Sequence, residues 1–93
     1  MELWIRSQDK TTLIKVTKLC FEWNIDNEPT IYGYEKYDNY ERLGVYKTKE
    51  RALEVLDEIQ TYIEKKGTPE IFSQNGIPNV MKYYSRVYEM PKD

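Results

Sequence analysis

Ninety-three residues, 40% hydrophobic and 32% charged with a net charge of −2, describe one small domain spanning 1–93 that buries a single core. The acidic balance, with a pI near 5.2, provides no overall field toward DNA or RNA, and no apolar run approaches the roughly 20 residues that span a bilayer. Histidine is absent and Cys20 is the single cysteine, which removes the usual neutral-pH base, an internal disulfide and a multi-thiolate zinc site. The start, MELWIRSQDK, is charged where a signal peptide would be apolar, so a cytoplasmic location is expected.

In chain order, Leu3 to Arg6 reads as a strand with alternating faces, and SQDKTT breaks it as a polar turn. Leu13 to Trp23 reads as a longer strand whose alternation changes phase. Ile14 and Val16 share one parity and Leu19, Phe21 and Trp23 the other, so a bulge near Thr17 and Lys18, or two short strands, is expected. NIDNEP (Asn24 to Pro29) is a turn, Thr30 to Tyr37 a strand, Asp38 and Asn39 a hairpin turn, and Tyr40 to Lys47 the next strand.

Thr48 to Gly67 is the strongest signal. Ala52, Val55, Leu56, Ile59, Tyr62 and Ile63 recur at three- and four-residue spacing, which is one stripe of a helix. Thr48 can cap its start, Gly67 can end it, and Pro69 forbids continuation. TPEIFSQNGIPN then reads as a loop pinned by Ile71 and Phe72, and Val80 to Met90 as a last strand. The expected fold is α+β: an antiparallel sheet in the order ββββαβ, with one amphipathic helix across one face. The last strand must pair at an edge, either beside the first strand or in another subunit.

Three groups of residues invite a function. The turn Arg6, Ser7, Gln8, Asp9 and Lys10 collects donors suited to a phosphate or carboxylate. A last strand beside the first would add Arg86, with Trp4, Tyr84 or Tyr88 for base stacking, and the whole would suit a nucleotide-type ligand. The same turn is equally a solvated connection fixed by Asp9 and Lys10. The helix carries Glu50, Glu54, Asp57, Glu58 and Glu64 on its outer face, either as a mimic of nucleic-acid phosphates or as a solvated surface softened by Lys49 and Arg51. Lys36, Tyr37, Tyr40, Arg42, Tyr46 and Lys47 interleave bases with aromatics in the manner of a single-strand platform, interrupted by Glu35, Asp38 and Glu41. The nine tyrosines suit either a half-exposed sheet or an interface.

LWIRSQDK (Leu3 to Lys10), YKTKERALEVLDEIQ (Tyr46 to Gln60) and VYEMP (Val87 to Pro91) together resemble a group of short, uncharacterised proteins carried by phages, prophages and mobile elements of Gram-positive bacteria. The resemblance implies a setting in which small accessory proteins block a host component, anti-CRISPR proteins and sponges for a nucleotide signal among them. The expectation is a non-catalytic homo-oligomer acting against a host defence system. It would sequester a nucleotide-type molecule through Trp4, Arg6, Ser7, Gln8, Lys10, Tyr84, Arg86 and Tyr88. The alternative is a protein–protein inhibitor using the acidic helix or the tyrosine-rich sheet. No metal ligands, no cofactor and no catalytic residues are expected. No membrane contact is expected either, and nucleic acid ranks behind both readings.

Overall fold

Thr48 caps α1 (Lys49–Lys66): its Oγ accepts the Arg51 N–H at 3.0 Å and its carbonyl accepts the Ala52 N–H at 3.1 Å. The apolar stripe turns inward, with Ala52, Val55 and Ile59 buried and Leu56, Tyr62 and Ile63 half-buried. The computed structural model describes residues 3–36, 38–66, 70–74, 77–82 and 87–93. Gly67 and Pro69, expected to end the helix, lie outside these, as does Tyr37.

Five strands precede α1: β1 (Trp4–Arg6), β2 (Leu13–Lys15), β3 (Lys18–Trp23), β4 (Pro29–Lys36) and β5 (Asn39–Val45). Three follow it: β6 (Glu70–Gln74), β7 (Ile77–Lys82) and β8 (Val87–Glu89). The fold is α+β and mostly antiparallel. It forms not one antiparallel sheet in the order ββββαβ but a β2–β1–β8 sheet, a β3–β4–β5 sheet and a β6–β7 hairpin. Where a loop pinned by Ile71 and Phe72 was expected, β6 and β7 pair from Glu70–Lys82 to Gln74–Ile77. The expected last strand is two strands, and its second piece, β8, lies beside β1 and runs parallel to it.

The phase change around Thr17 has a direct cause. Val16 N–H donates to the Leu3 carbonyl at 2.9 Å, and one residue later Thr17 N–H donates to the Tyr34 carbonyl at 2.8 Å. The chain therefore leaves one sheet and joins the other within a single step, and each half keeps its own inward parity. At that corner β4 passes close beneath. A Cβ on Gly33 would stand 2.6 Å from Leu43 Cδ1 and 2.8 Å from Val16 Cγ1, so a side chain here would force both methyl groups to move. The core lies between the two sheets and α1, with Ile5, Ile31, Leu43, Val55, Ile59 and Met90 buried.

Candidate interaction surface

The inner face of β4 is fixed by Ile31 and Gly33, so its other parity, Tyr32 and Tyr34, faces outward. The register brings Cys20 and Arg42 to the two sides of Tyr32, and Lys18 and Tyr40 to the two sides of Tyr34. Cross-strand neighbours on one face are in contact range, and the rings use it. Tyr34 and Tyr40 stack at 5.1 Å between centroids, and Tyr32 meets Tyr40 edge-on at 6.0 Å. Lys18 Nζ sits 5.0 Å from the Tyr34 centroid, and Lys36 and Thr17 complete a shallow recess beside that ring. The Tyr34 hydroxyl donates to Glu22 Oε2 at 3.4 Å. Lys18, Lys36 and Arg42 thus border three tyrosines, with Glu22 among them and the Asp9 carboxylate within electrostatic reach of Arg42. A net-acidic chain presents here a rigid, aromatic and locally cationic face.

The β1–β2 turn, expected as a ligand site, spends the donors of Ser7, Gln8 and Lys10 within the protein. Ser7 is buried, with its hydroxyl donating to Asp9 Oδ1 at 2.7 Å and accepting the Thr12 N–H at 3.0 Å. Gln8 bridges to β5: its Oε1 accepts the Val45 N–H at 2.9 Å, and its Nε2 donates to the Val45 and Lys92 carbonyls at 3.0 and 2.8 Å. Lys10, in the left-handed region with φ 69°, pairs with Glu89 at 2.7 Å. Trp4 and Arg6 share the outer parity of β1, whereas Tyr88 pairs with Ile5 on the inner parity. The Tyr88 ring accordingly meets Tyr62 of α1 at 5.3 Å, and burial, followed by the charge of Glu58, pushes its hydroxyl up to about 12. Tyr84 and Arg86 lie outside the described residues. The structure therefore joins Trp4 with Arg6, ties Ser7, Gln8 and Lys10 into the scaffold, and sends Tyr88 to the other face.

Asp9 gives this turn a pH signature. Hydrogen bonds from the Thr11 hydroxyl, the Ser7 hydroxyl and the Thr11 N–H lower its carboxyl from 3.8 to about 2. A pKa depressed by folding contributes stability that is complete above the unfolded value and is lost as pH falls through the folded one. Unfolding titrations of the wild type should lose this contribution between about pH 4 and pH 2, and Asp9→Asn should flatten that part of the profile.

The remaining candidates are less available. Arg51 Nη1 lies 3.2 Å from Glu54 and 2.9 Å from Glu58, so one cation offsets part of the negative charge at the middle of the acidic face of α1. Tyr46, expected in a basic–aromatic stretch, is buried and donates to the Pro91 carbonyl at 2.9 Å; among the described residues of that stretch Lys36, Tyr40 and Arg42 reach the tyrosine face. A cleft of about 660 Å³ beside the start of α1 carries Lys47, Arg51 and Lys92 but also Glu28 and Asp93, and Arg51 donates to the Asp93 carbonyl at 2.9 Å. Cys20 is half-buried, and burial, then the charge of Glu22, raises its pKa, which keeps the thiol protonated and a poor nucleophile. Among the described residues no cluster of metal-ligating side chains occurs, and no helix is long and apolar enough to cross a membrane.

Sequence reasoning did not bring Lys18, Tyr32 and Tyr34 into a site. The alternation of Tyr32, Tyr34 and Lys36 was the available signal, and the pairing of β3 and β5 about it was not. Compared with protein-family models, curated proteins and solved structures, the chain matches none.

Proposed function

We propose that this chain is a non-catalytic binding protein that acts on a partner protein through the outer face of β3–β4–β5. The observation that carries the proposal is the outward-facing array of half-buried Tyr32 and Tyr34 and exposed Tyr40, bordered by Lys18, Lys36 and Arg42. Tyrosine and arginine are enriched where interfaces concentrate their energy, because they bring large area with little rotamer freedom to lose. With the resemblance to phage and mobile-element proteins, this becomes a cytoplasmic accessory protein that blocks a host defence component. The cationic surround favours an acidic patch on that component.

The test is affinity capture from a Gram-positive host lysate with three baits: the wild type, Tyr34→Ala/Arg42→Glu, and Glu54→Lys/Glu58→Lys. The expected result is a partner retained by the helix variant and lost by the sheet variant. The loss should be at least about 2 kcal/mol, roughly thirtyfold in Kd, for a central tyrosine alone. A partner kept by the sheet variant and lost by the helix variant would transfer the function to α1.

One observation favours a second reading, in which a nucleotide-type molecule is sequestered at Arg6. Among the described residues Arg6 Nε is buried without a hydrogen-bond partner, Nη1 donates to the Lys10 carbonyl at 3.3 Å, and the guanidinium acts on the Glu89 carboxylate by charge alone. A ligand phosphate would satisfy that donor. Native mass spectrometry of protein purified from its host, wild type against Arg6→Ala, tests this reading. A nucleotide-sized mass retained only by the wild type supports it, and a ligand-free wild type removes it.

A further inference from the structure

β3 leaves one side of its sheet open. Among the described residues it pairs only with β4, along an unbroken register without a bulge, and its sequence KLCFEW holds no proline. Edge strands usually carry one of those devices to discourage further pairing. Asn24 N–H donates to the Glu28 carbonyl and Tyr34 supplies its carbonyl on the β3 side, so Lys18, Cys20 and Glu22 turn their backbone groups toward β4. Leu19, Phe21 and Trp23 therefore turn their N–H and C=O groups to the open edge. Their side chains share the inner parity, where Leu19 and Phe21 are only half-buried, and Trp23 is 51% exposed.

We infer that β3 pairs antiparallel with β3 of a second copy about a two-fold axis at Cys20. In that register Leu19 stands opposite Phe21 of the second copy, and the reverse, as two hydrogen-bonded pairs formed by the outward-turned backbone groups. Lys18 stands opposite Glu22 of the second copy, twice by symmetry, and both side chains are on the outer parity within reach of each other. Neighbouring registers lose this complementarity. Centring on Phe21 sets Lys18 against Asn24 and Cys20 against Glu22, and centring on Leu19 sets Lys18 against Cys20. The two-fold is normal to the sheet, so the tyrosine faces of both copies lie on one side of a six-stranded sheet. The occupant of this edge is thus a second copy of the chain, selected by self-complementary charge. This inference goes beyond the functional reading and does not depend on it.

Sedimentation equilibrium of the purified protein, with no partner present, tests it. The wild type should reversibly dimerise. Lys18→Glu and Glu22→Lys, each creating two like-charge pairs, should each weaken the dimer roughly tenfold. The double variant Lys18→Glu/Glu22→Lys recreates both pairs in the opposite sense and should restore the wild-type constant. Both sites are exposed, and circular dichroism of each variant checks that the fold is kept. A monomer at every concentration overturns the inference. So does a dimer indifferent to the single reversals, or one that the double variant fails to restore.

Discussion

Gln8→Ala is expected to destabilise the protein by about 2–3 kcal/mol, a large effect for a residue that lies outside the core. The Gln8 side chain behaves as a short strand partner, accepting from the Val45 N–H and donating to the Val45 carbonyl, with a second donor on the Lys92 carbonyl. Its own N–H donates to the Leu43 carbonyl at 2.7 Å, which adds to the link between the β1–β2 turn and the end of β5. Truncation leaves a partly buried N–H and a partly buried carbonyl without partners, and unsatisfied groups cost more than the hydrogen bond contributed. Gln8→Glu separates the two roles. It keeps an acceptor for Val45 N–H but aims a carboxylate at two carbonyls, so it should be no better than alanine. Urea unfolding of both variants checks this. A loss below about 0.5 kcal/mol would return Gln8 to the pool of available ligand donors.

Ile31→Ala should cost more, about 3–4 kcal/mol, and shift the urea midpoint without changing the slope. Ile31 is fully buried, pairs with Phe21 on one side and Gly44 on the other, and belongs to the core shared with Leu43, Val55 and Ile59. The flanking strands and α1 hold the site open, so a cavity would persist rather than collapse. Its neighbour in sequence, Tyr32, belongs to the opposite face, and Tyr32→Ala should cost far less stability. The contrast separates the residues that hold the sheet from those it displays.

How much of this was legible in the sequence depended on how local each signal was. The helix was legible to within a residue of each end, because the stripe and the Thr48 cap are local features. The phase change at Thr17 was legible as a break, but its meaning, a change of sheet, rests on Leu3 and Tyr34 as alternative acceptors. The β6–β7 hairpin was missed although Asn75-Gly76, a strong hairpin signal, stands between Gln74 and Ile77. The turn from Arg6 to Lys10 misled for a physical reason. Donors that suit a phosphate also suit carbonyls and carboxylates within the chain, and only the fold shows that Gln8 reaches Val45 and Lys10 reaches Glu89. The tyrosine face was half-legible. Alternation in β4 set Tyr32 and Tyr34 on one side, but Lys18, Tyr40 and Arg42 join them only through cross-strand register.

The most direct measurement is site-specific photo-crosslinking, with a benzophenone side chain placed in turn at Tyr34, Tyr40, Glu54 and Arg6 in cells that contain the partner. The account predicts a single crosslinked protein from positions 34 and 40 and none from 54 or 6. Crosslinks from position 54 or 6, with positions 34 and 40 silent, would contradict the assignment of the outer face of β3–β4–β5 as the working surface.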